Sequence, residues 1–167
     1  MYAREQVSKV FTFGPMFRYE RPQKGRQRQF HQINAELFGS SAPQADAEII
    51  AMLWRYLHEL GLTNLDLYLN SLGCPECRPE FSRRLQEFLN TQPISELCAD
   101  CQRRQSTNPL RILDCKVPGC QKTAEQAPKI LNHLCRECEK HFASVQNILQ
   151  SCSVPFVLNP RLVRGLD

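Results

Sequence analysis

A chain of 167 residues that is 42% apolar and 23% charged has the balance of a folded globular protein with room for one ordinary domain or two small ones, which excludes wholesale disorder and collagen-like repeats. No apolar run nears the ~20 residues of a membrane-spanning helix, and the opening MYAREQVSKV lacks the apolar centre of a signal peptide, so a cytoplasmic protein without membrane contact is expected. The net charge of +4 is modest, but Arg18, Arg21, Lys24, Arg26 and Arg28 fall within eleven residues, which points to a local anionic partner.

Residues 8–19 are rich in β-branched and aromatic side chains, and residues 31–38, HQINAELF, alternate polar with apolar, so each stretch is predicted as a strand. Between them ERPQKGRQRQ is polar and contains Pro22 and Gly25, which makes the three pieces a hairpin with a long exposed tip. On the returning strand Gln32, Asn34 and Glu36 point to one face, while Ile33, Ala35 and Leu37 point to the other. SSAPQADAEIIAMLWRYLHELG reads as a helix capped near Ser41 or Ala42, with Pro43 in its first turn and Gly61 at its exit. Ile49, Leu53, Leu57 and Leu60 form an apolar stripe suited to covering a sheet. Leu65, Leu67 and Leu69 alternate with polar residues and predict a further strand ending near Asn70.

Composition changes at Gly73, since eight of the nine cysteines lie between Cys74 and Cys138. They sit among short helical patterns such as PEFSRRLQEFLN and KILNHLCRECEKHFASVQNILQ, so an inserted, mostly helical subdomain is expected there. Cys74/Cys77, Cys98/Cys101 and Cys135/Cys138 are C-x-x-C knuckles, and Cys115/Cys120 is a looser pair. Two knuckles complete a tetrahedral Cys₄ zinc site, and in a reducing compartment paired cysteines point to metal before crosslinks. One or two structural Zn²⁺ ions are therefore expected. The doublets can be matched in three ways, and joining Cys74/Cys77 to Cys135/Cys138 would clamp the ends of the insert. Cys152 stands outside any pair. The final PFVLNPRLVRGLD returns to a strand pattern and stops at Asp167 without a cap or polar tail, as expected of a chain cut within a longer protein.

The hairpin carries residue types suited to a nucleotide and a small zwitterion. Arginine offers a planar fork that donates paired hydrogen bonds to phosphate oxygens, and Arg18 stands at a strand end where such a contact is held rigidly. Arg26 and Arg28 on the loop can follow outer phosphates or an RNA backbone, and Phe30 offers a flat face to a nucleobase. Gln32 and Glu36, about 13 Å apart by strand rise, can converge on a ligand between them. A carboxylate suits an ammonium or imidazole N–H, and an amide pairs with either. His31, His58, His133 and His141 are assigned no catalysis.

FRYE at Phe17 to Glu20, the basic loop after it and RQF at Arg28 to Phe30 resemble the second signature motif of class II aminoacyl-tRNA synthetases. RPQKGRQRQFHQ, Arg21 to Gln32, and NPRLVRGLD, Asn159 to Asp167, resemble stretches of the histidyl-tRNA synthetase family, as do LNSLG at Leu69 to Gly73 and NPLRILDCK at Asn108 to Lys116. The resemblance implies an α+β fold: part of a class II antiparallel sheet with its covering helix over residues 1–72, the helical, zinc-binding insertion over 73–153, and a return to the catalytic core over 154–167.

The same resemblance implies a histidine–tRNA ligase that forms histidyl-adenylate and pyrophosphate from ATP and L-histidine, then transfers histidine to the 3′ end of tRNA(His). Arg18 would bind the α-phosphate, Glu20 and the loop with Arg26 would approach the ATP, and Phe30 would stack on adenine. Gln32 and Glu36 would line the histidine pocket. Arg164 would enter beside the α-phosphate and the histidine carboxylate, opposite Arg18, while Mg²⁺ arrives with the ATP. The complete enzyme would be a homodimer. The first and third signature motifs and the anticodon-binding domain are not found in this sequence, so an incomplete active site is expected of this chain alone. Two rival readings are a catalytically inactive paralogue that regulates ATP phosphoribosyltransferase, for which an intact set of Arg18, Gln32, Glu36 and Arg164 is unexpected, and a zinc-ribbon nucleic-acid module, which leaves LVRGLD unexplained.

Overall fold

The alternation of small or polar residues with aromatics along Ser8–Phe17 (β1) and of polar with apolar residues along Gln29–Phe38 (β2) is satisfied by one antiparallel ladder, in register from Ser8 opposite Phe38 to Phe17 opposite Gln29. The computed structural model describes residues 6–19 and 24–163, and the chain divides into two compact units, Met1–Gly61 and Leu62–Asp167. Directly opposed residues share a face of the sheet. One face of the hairpin therefore carries Val10, Thr12, Gly14 and Met16 against Glu36, Asn34, Gln32 and Phe30. The other carries Phe11, Phe13, Pro15 and Phe17 against Ala35, Ile33, His31 and Gln29.

Helix α1, Pro43–Glu59, follows in the first unit. Ala42 is its extended N-cap and Pro43 opens it, where a missing N–H costs nothing; Gly61, at φ +83°, closes it. The helix packs on β2. Its tightest burial is at Ala47, 1% exposed, beside a Lys9 Nζ to Glu48 Oε1 ion pair of 2.5 Å. Of the predicted stripe, Ile49 and Leu57 are part-buried, but Leu53 and Leu60 are exposed. Ala47, a small residue, is the one buried position of the helix. Phe11, Phe13 and Phe17, at 78%, 70% and 74% exposure, leave the second face of the hairpin largely bare.

In the second unit the predicted Leu65-to-Leu69 strand is short: Tyr68–Leu69 (β3) pairs in parallel with Val157–Leu158 (β4). Val157 N–H donates to Leu67 O and Asn159 N–H to Leu69 O, both at 2.8 Å. Between these strands run α2 (Cys77–Thr91), α3 (Ala99–Thr107), α4 (Pro118–Gln126) and α5 (Arg136–Ser151), with 3₁₀ turns at Ile94–Glu96, Pro109–Ile112 and Ile130–His133. Phe81, Leu85 and Leu89 recur every fourth residue on α2 and are each no more than 1% exposed. Burial of such side chains contributes about 2 kcal/mol each, against Ile112, Leu113 and Ile130 in one core. The opposite face of α2 is laced by Arg83 to Glu80 and Glu87 and by Arg84 to Glu80.

The predicted helical stretch from Lys129 to Gln150 is interrupted. After the turn at Ile130–His133, Leu134 and Cys135 are extended, and the Cys135 side chain accepts from Cys138 N–H to start α5. No helix among the described residues is long and apolar enough to cross a membrane.

Candidate functional site

The hairpin register places four of the predicted residues together. Phe30, Gln32 and Glu36 lie on one face of β2, and Arg18, whose N–H donates to Arg28 O at 2.9 Å, extends the same face beyond the end of β1. Arg18 is held by its side chain as well: Nε donates to Gln27 O at 2.9 Å, and the guanidinium carbon sits 4.6 Å from the centre of the Phe30 ring. That stack contributes about 0.5–1 kcal/mol at a partly exposed site. Two loop contacts and one ring thus fix a cation at the neck of the hairpin.

Moving away from the neck, Gln32 Nε2 donates to Asn34 Oδ1. The bond orients the amide and presents Gln32 Oε1 together with the Glu36 carboxylate as acceptors along one row. The face therefore carries positive charge and an aromatic plane at one end, neutral amides in the middle and negative charge at the other. It suits an extended ligand that is anionic at one end and cationic at the other. Arg26 lies on the exposed loop. Glu20, Arg21 and Arg164 lie outside the described residues.

In the second unit the eight paired cysteines gather into two sets whose sulfurs all lie within 4.8 Å of one another: Cys74, Cys77, Cys135 and Cys138, and Cys98, Cys101, Cys115 and Cys120. Each set can hold a metal ion. Sulfur separations include 3.5 Å for Cys74–Cys77, 3.9 Å for Cys74–Cys135 and 3.9 Å for Cys98–Cys115. Backbone amides reach the sulfurs too, Cys135 N–H to Cys77 Sγ at 3.1 Å and Cys98 N–H to Cys120 Sγ at 3.2 Å. Burial opposes ionisation of Cys77, but the amides of Cys74 and Cys135 outweigh it and bring its pKa down to about 7. The Cys101 amide brings Cys98 down to about 7. Burial pushes Cys138 up to about 12 and raises Cys101 and Cys120 as well. Cys77 and Cys98 are thus the readier ionisers of their sets, and Cys138, Cys101 and Cys120 the reluctant ones, chiefly because burial disfavours their charged form.

Two residues beyond the predicted set shape these regions. Asn34, on the polar row but given no role by its position alone, orients Gln32. Asn70 donates from Nδ2 to Leu162 O at 3.1 Å and Pro160 O at 3.4 Å, tying the Leu69–Gly73 stretch to the segment that leads to Arg164. Its Oδ1 is buried without a partner among the described residues. The local pattern does not give these partners of Asn70, because Pro160 lies 90 residues away in sequence.

The family model described as histidyl-tRNA synthetase matches residues 1–167. The chain belongs to the histidyl-tRNA synthetase family. It is 61% identical over 166 residues to the histidine–tRNA ligase of Nitratidesulfovibrio vulgaris strain DP4, covering 99% of this chain and 40% of that protein. To the enzyme of Oleidesulfovibrio alaskensis it is 57% identical over 167 residues, 100% of this chain and 40% of that one. The crystal structure of apo histidyl-tRNA synthetase from S. aureus superposes with a TM-score of 0.67 at 34% identity, over 95% of this chain and 36% of that chain. The chain thus spans about two-fifths of the length of its curated relatives. Membership of the histidyl-tRNA synthetase family agrees with the α+β architecture and with the resemblance seen in the hairpin and terminal motifs.

Proposed function

We propose that this chain is the part of a histidine–tRNA ligase that grips ATP and histidine during adenylate formation. The observation that carries the reading is the common face of Arg18, Phe30, Gln32 and Glu36, ordered along one hairpin from cation and ring to carboxylate. Phe30 takes the adenine, and the terminal nitrogens of Arg18 take the α-phosphate, with Glu20 and Arg26 nearer the ATP from the loop. Gln32 and Glu36 take the histidine, the carboxylate of Glu36 answering its ammonium or imidazole N–H. The histidine carboxylate attacks the α-phosphorus, the bond to the bridging oxygen breaks, and pyrophosphate leaves with both electrons of that bond. Catalysis is positioning plus stabilisation of charge on the α-phosphoryl oxygens by Arg18 and, from the terminal motif, Arg164. The Mg²⁺ that accompanies ATP is part of the substrate and neutralises phosphate charge.

On this reading residues 1–72 and 154–167 belong to the catalytic core and residues 73–153 are inserted into it. The β3–β4 pair supports that division, because the chain leaves the pair at Asn70 and rejoins it at Val157. The complete ligase transfers histidine to tRNA(His), works as a homodimer in the cytoplasm, and carries structural zinc on the cysteines of the insert, outside the reaction. Histidine-dependent ATP–pyrophosphate exchange by the whole protein tests the division of tasks along the hairpin. Glu36→Gln is expected to raise KM for histidine with KM for ATP nearly unchanged. Arg18→Ala is expected to lower kcat by about a hundredfold or more, the usual loss when one transition-state donor is removed. Equal effects of both substitutions on both substrates would count against the assignment.

A further inference from the structure

We infer that the second unit holds two mononuclear zinc sites of unequal rank: Cys98, Cys101, Cys115 and Cys120 form the metal centre on which the insert's core is built, and Cys74, Cys77, Cys135 and Cys138 form a clasp that ties its two ends together. The inference rests on reading these cysteines as structural zinc ligands and is independent of the ligase reaction.

The sulfur geometry fits a single ion in each set. Four Zn–S bonds of about 2.3 Å in a tetrahedron put the sulfurs about 3.8 Å apart; the separations of 3.5, 3.9 and 3.9 Å bracket that edge. A disulfide would need sulfurs at about 2.05 Å, and all eight cysteines are free thiols.

The backbone is organised around the same points. Helix α2 begins at Cys77 and α5 is capped by Cys135, so two helix N-termini meet at the outer set. Cys98 caps α3, and Cys120 lies in the first turn of α4, so two more meet at the inner set. The positive dipole ends of those helices, with the Cys138 N–H that already donates to Cys135 Sγ, stabilise thiolates, which is the ionisation state zinc requires. Each set also depends on a glycine. A Cβ at Gly73, where φ is +62°, would stand 2.9 Å from Cys77 Cβ, and one at Gly119 would stand 2.7 Å from Glu96 O. Both close approaches bring a cysteine-bearing turn to its partners. Four helix starts and two glycines converging on two sulfur clusters is more than cysteine packing requires.

The ranking follows from burial. Cys101 and Cys120 are completely buried in the same core as Phe81, Leu85 and Ile112, with Cys98 and Cys115 packed against it. Cys77 stands outside that core, as do Val145 and Leu149, the buried residues of α5. In sequence the outer ligands enclose all four inner ones. The inner ion is therefore placed to define the core, and the outer ion to fasten α5 to the start of α2.

The test is metal analysis and X-ray absorption on the purified protein, followed by stepwise chelation with alkylation of released thiols read by mass spectrometry. Two zinc ions per chain, each with an all-sulfur shell, are expected, with Cys135 and Cys138 alkylated before any inner cysteine. Cys135→Ser/Cys138→Ser is expected to keep one zinc and the circular dichroism of the insert's other helices, with faster amide exchange confined to the first turns of α5. Cys98→Ser/Cys115→Ser is expected to lose helical signal; should that variant fail to fold, the order of alkylation in the unsubstituted protein still decides the ranking. One zinc per chain with all thiols intact overturns the two-site inference while leaving a structural zinc in place. No metal with thiols intact overturns both, iron in either site overturns the assignment of zinc, and simultaneous alkylation of the two sets overturns the ranking.

Discussion

Replacing Gly73 by alanine should weaken the outer metal site more than any other single methyl added to this chain's described glycines outside that site. At φ +62° the residue is in the left-handed region, where an L side chain costs about 1–2 kcal/mol. The new Cβ would lie 2.9 Å from Cys77 Cβ, well inside the ordinary carbon contact of about 3.5–4.0 Å. Relief requires moving the Cys74–Cys77 turn, an overpacking cost of about 1–3 kcal/mol. Alanine also restricts the unfolded chain, which returns about 0.4–1 kcal/mol. The net is about 1–4.6 kcal/mol. Because the displaced turn carries two sulfur ligands, that loss is expected to fall on the metal-bound state, as zinc affinity lower by about fivefold to two-thousandfold. Competition against a chromophoric chelator measures it. Gly61→Ala is the control: φ is +83° but nothing lies within 4 Å of the added carbon, so a stability loss of about 1 kcal/mol with unchanged zinc affinity is expected. Gly73→Ala binding zinc within twofold of the unsubstituted protein, or Gly61→Ala weakening it equally, would show that the close approach at Gly73 does not support the outer site.

Other substitutions probe different links. Phe30→Ala removes the ring that Arg18 stacks on and the proposed adenine platform, so KM for ATP should rise by about tenfold to a hundredfold in the exchange assay. Leu85→Ala empties a position with no exposure in the α2 core and should lower stability by about 2–5 kcal/mol in denaturant unfolding. Lys9→Ala removes an ion pair whose two side chains are each more than half exposed; the same measurement should show less than about 1 kcal/mol, diminishing with added salt. In metal-free protein at neutral pH, iodoacetamide should modify Cys98 well before Cys101, since an amide holds the first near pH 7 and burial raises the second. Mass spectrometry of timed samples reads the order, and lowering the pH should slow Cys98 as its thiolate is protonated.

The hairpin was legible because a strand has a period of two: once Gln32, Asn34 and Glu36 alternate with Ile33, Ala35 and Leu37, their shared face follows from backbone geometry. The position of Arg18 on that face was not, since it depends on the register that sets Phe17 opposite Gln29 and on the loop oxygen that fixes Nε. The cysteine knuckles were visible in their spacing, but their partners were not. Matching Cys74/Cys77 with Cys135/Cys138 depends on where α2 and α5 begin, and α5 begins at Cys135 because that residue caps it. Periodicity puts Leu53 on the covering stripe, yet it is exposed while Ala47 is buried, because a helical period gives the spacing of a stripe but not which of its turns is covered. Asn70 lies in the LNSLG stretch, but its hydrogen bonds to Pro160 O and Leu162 O could not be read there, because they exist only once β3 and β4 are side by side.

On the proposed reading, the Arg18-to-Glu36 face serves histidine activation. The most direct test is ATP–pyrophosphate exchange by the complete protein with each standard amino acid supplied in turn. Exchange that depends on histidine and on no other amino acid, and that loses its histidine dependence at ordinary concentrations in Glu36→Gln, is the expected result. Exchange that is absent in the folded, intact protein, or that proceeds equally well with a different amino acid, would contradict it.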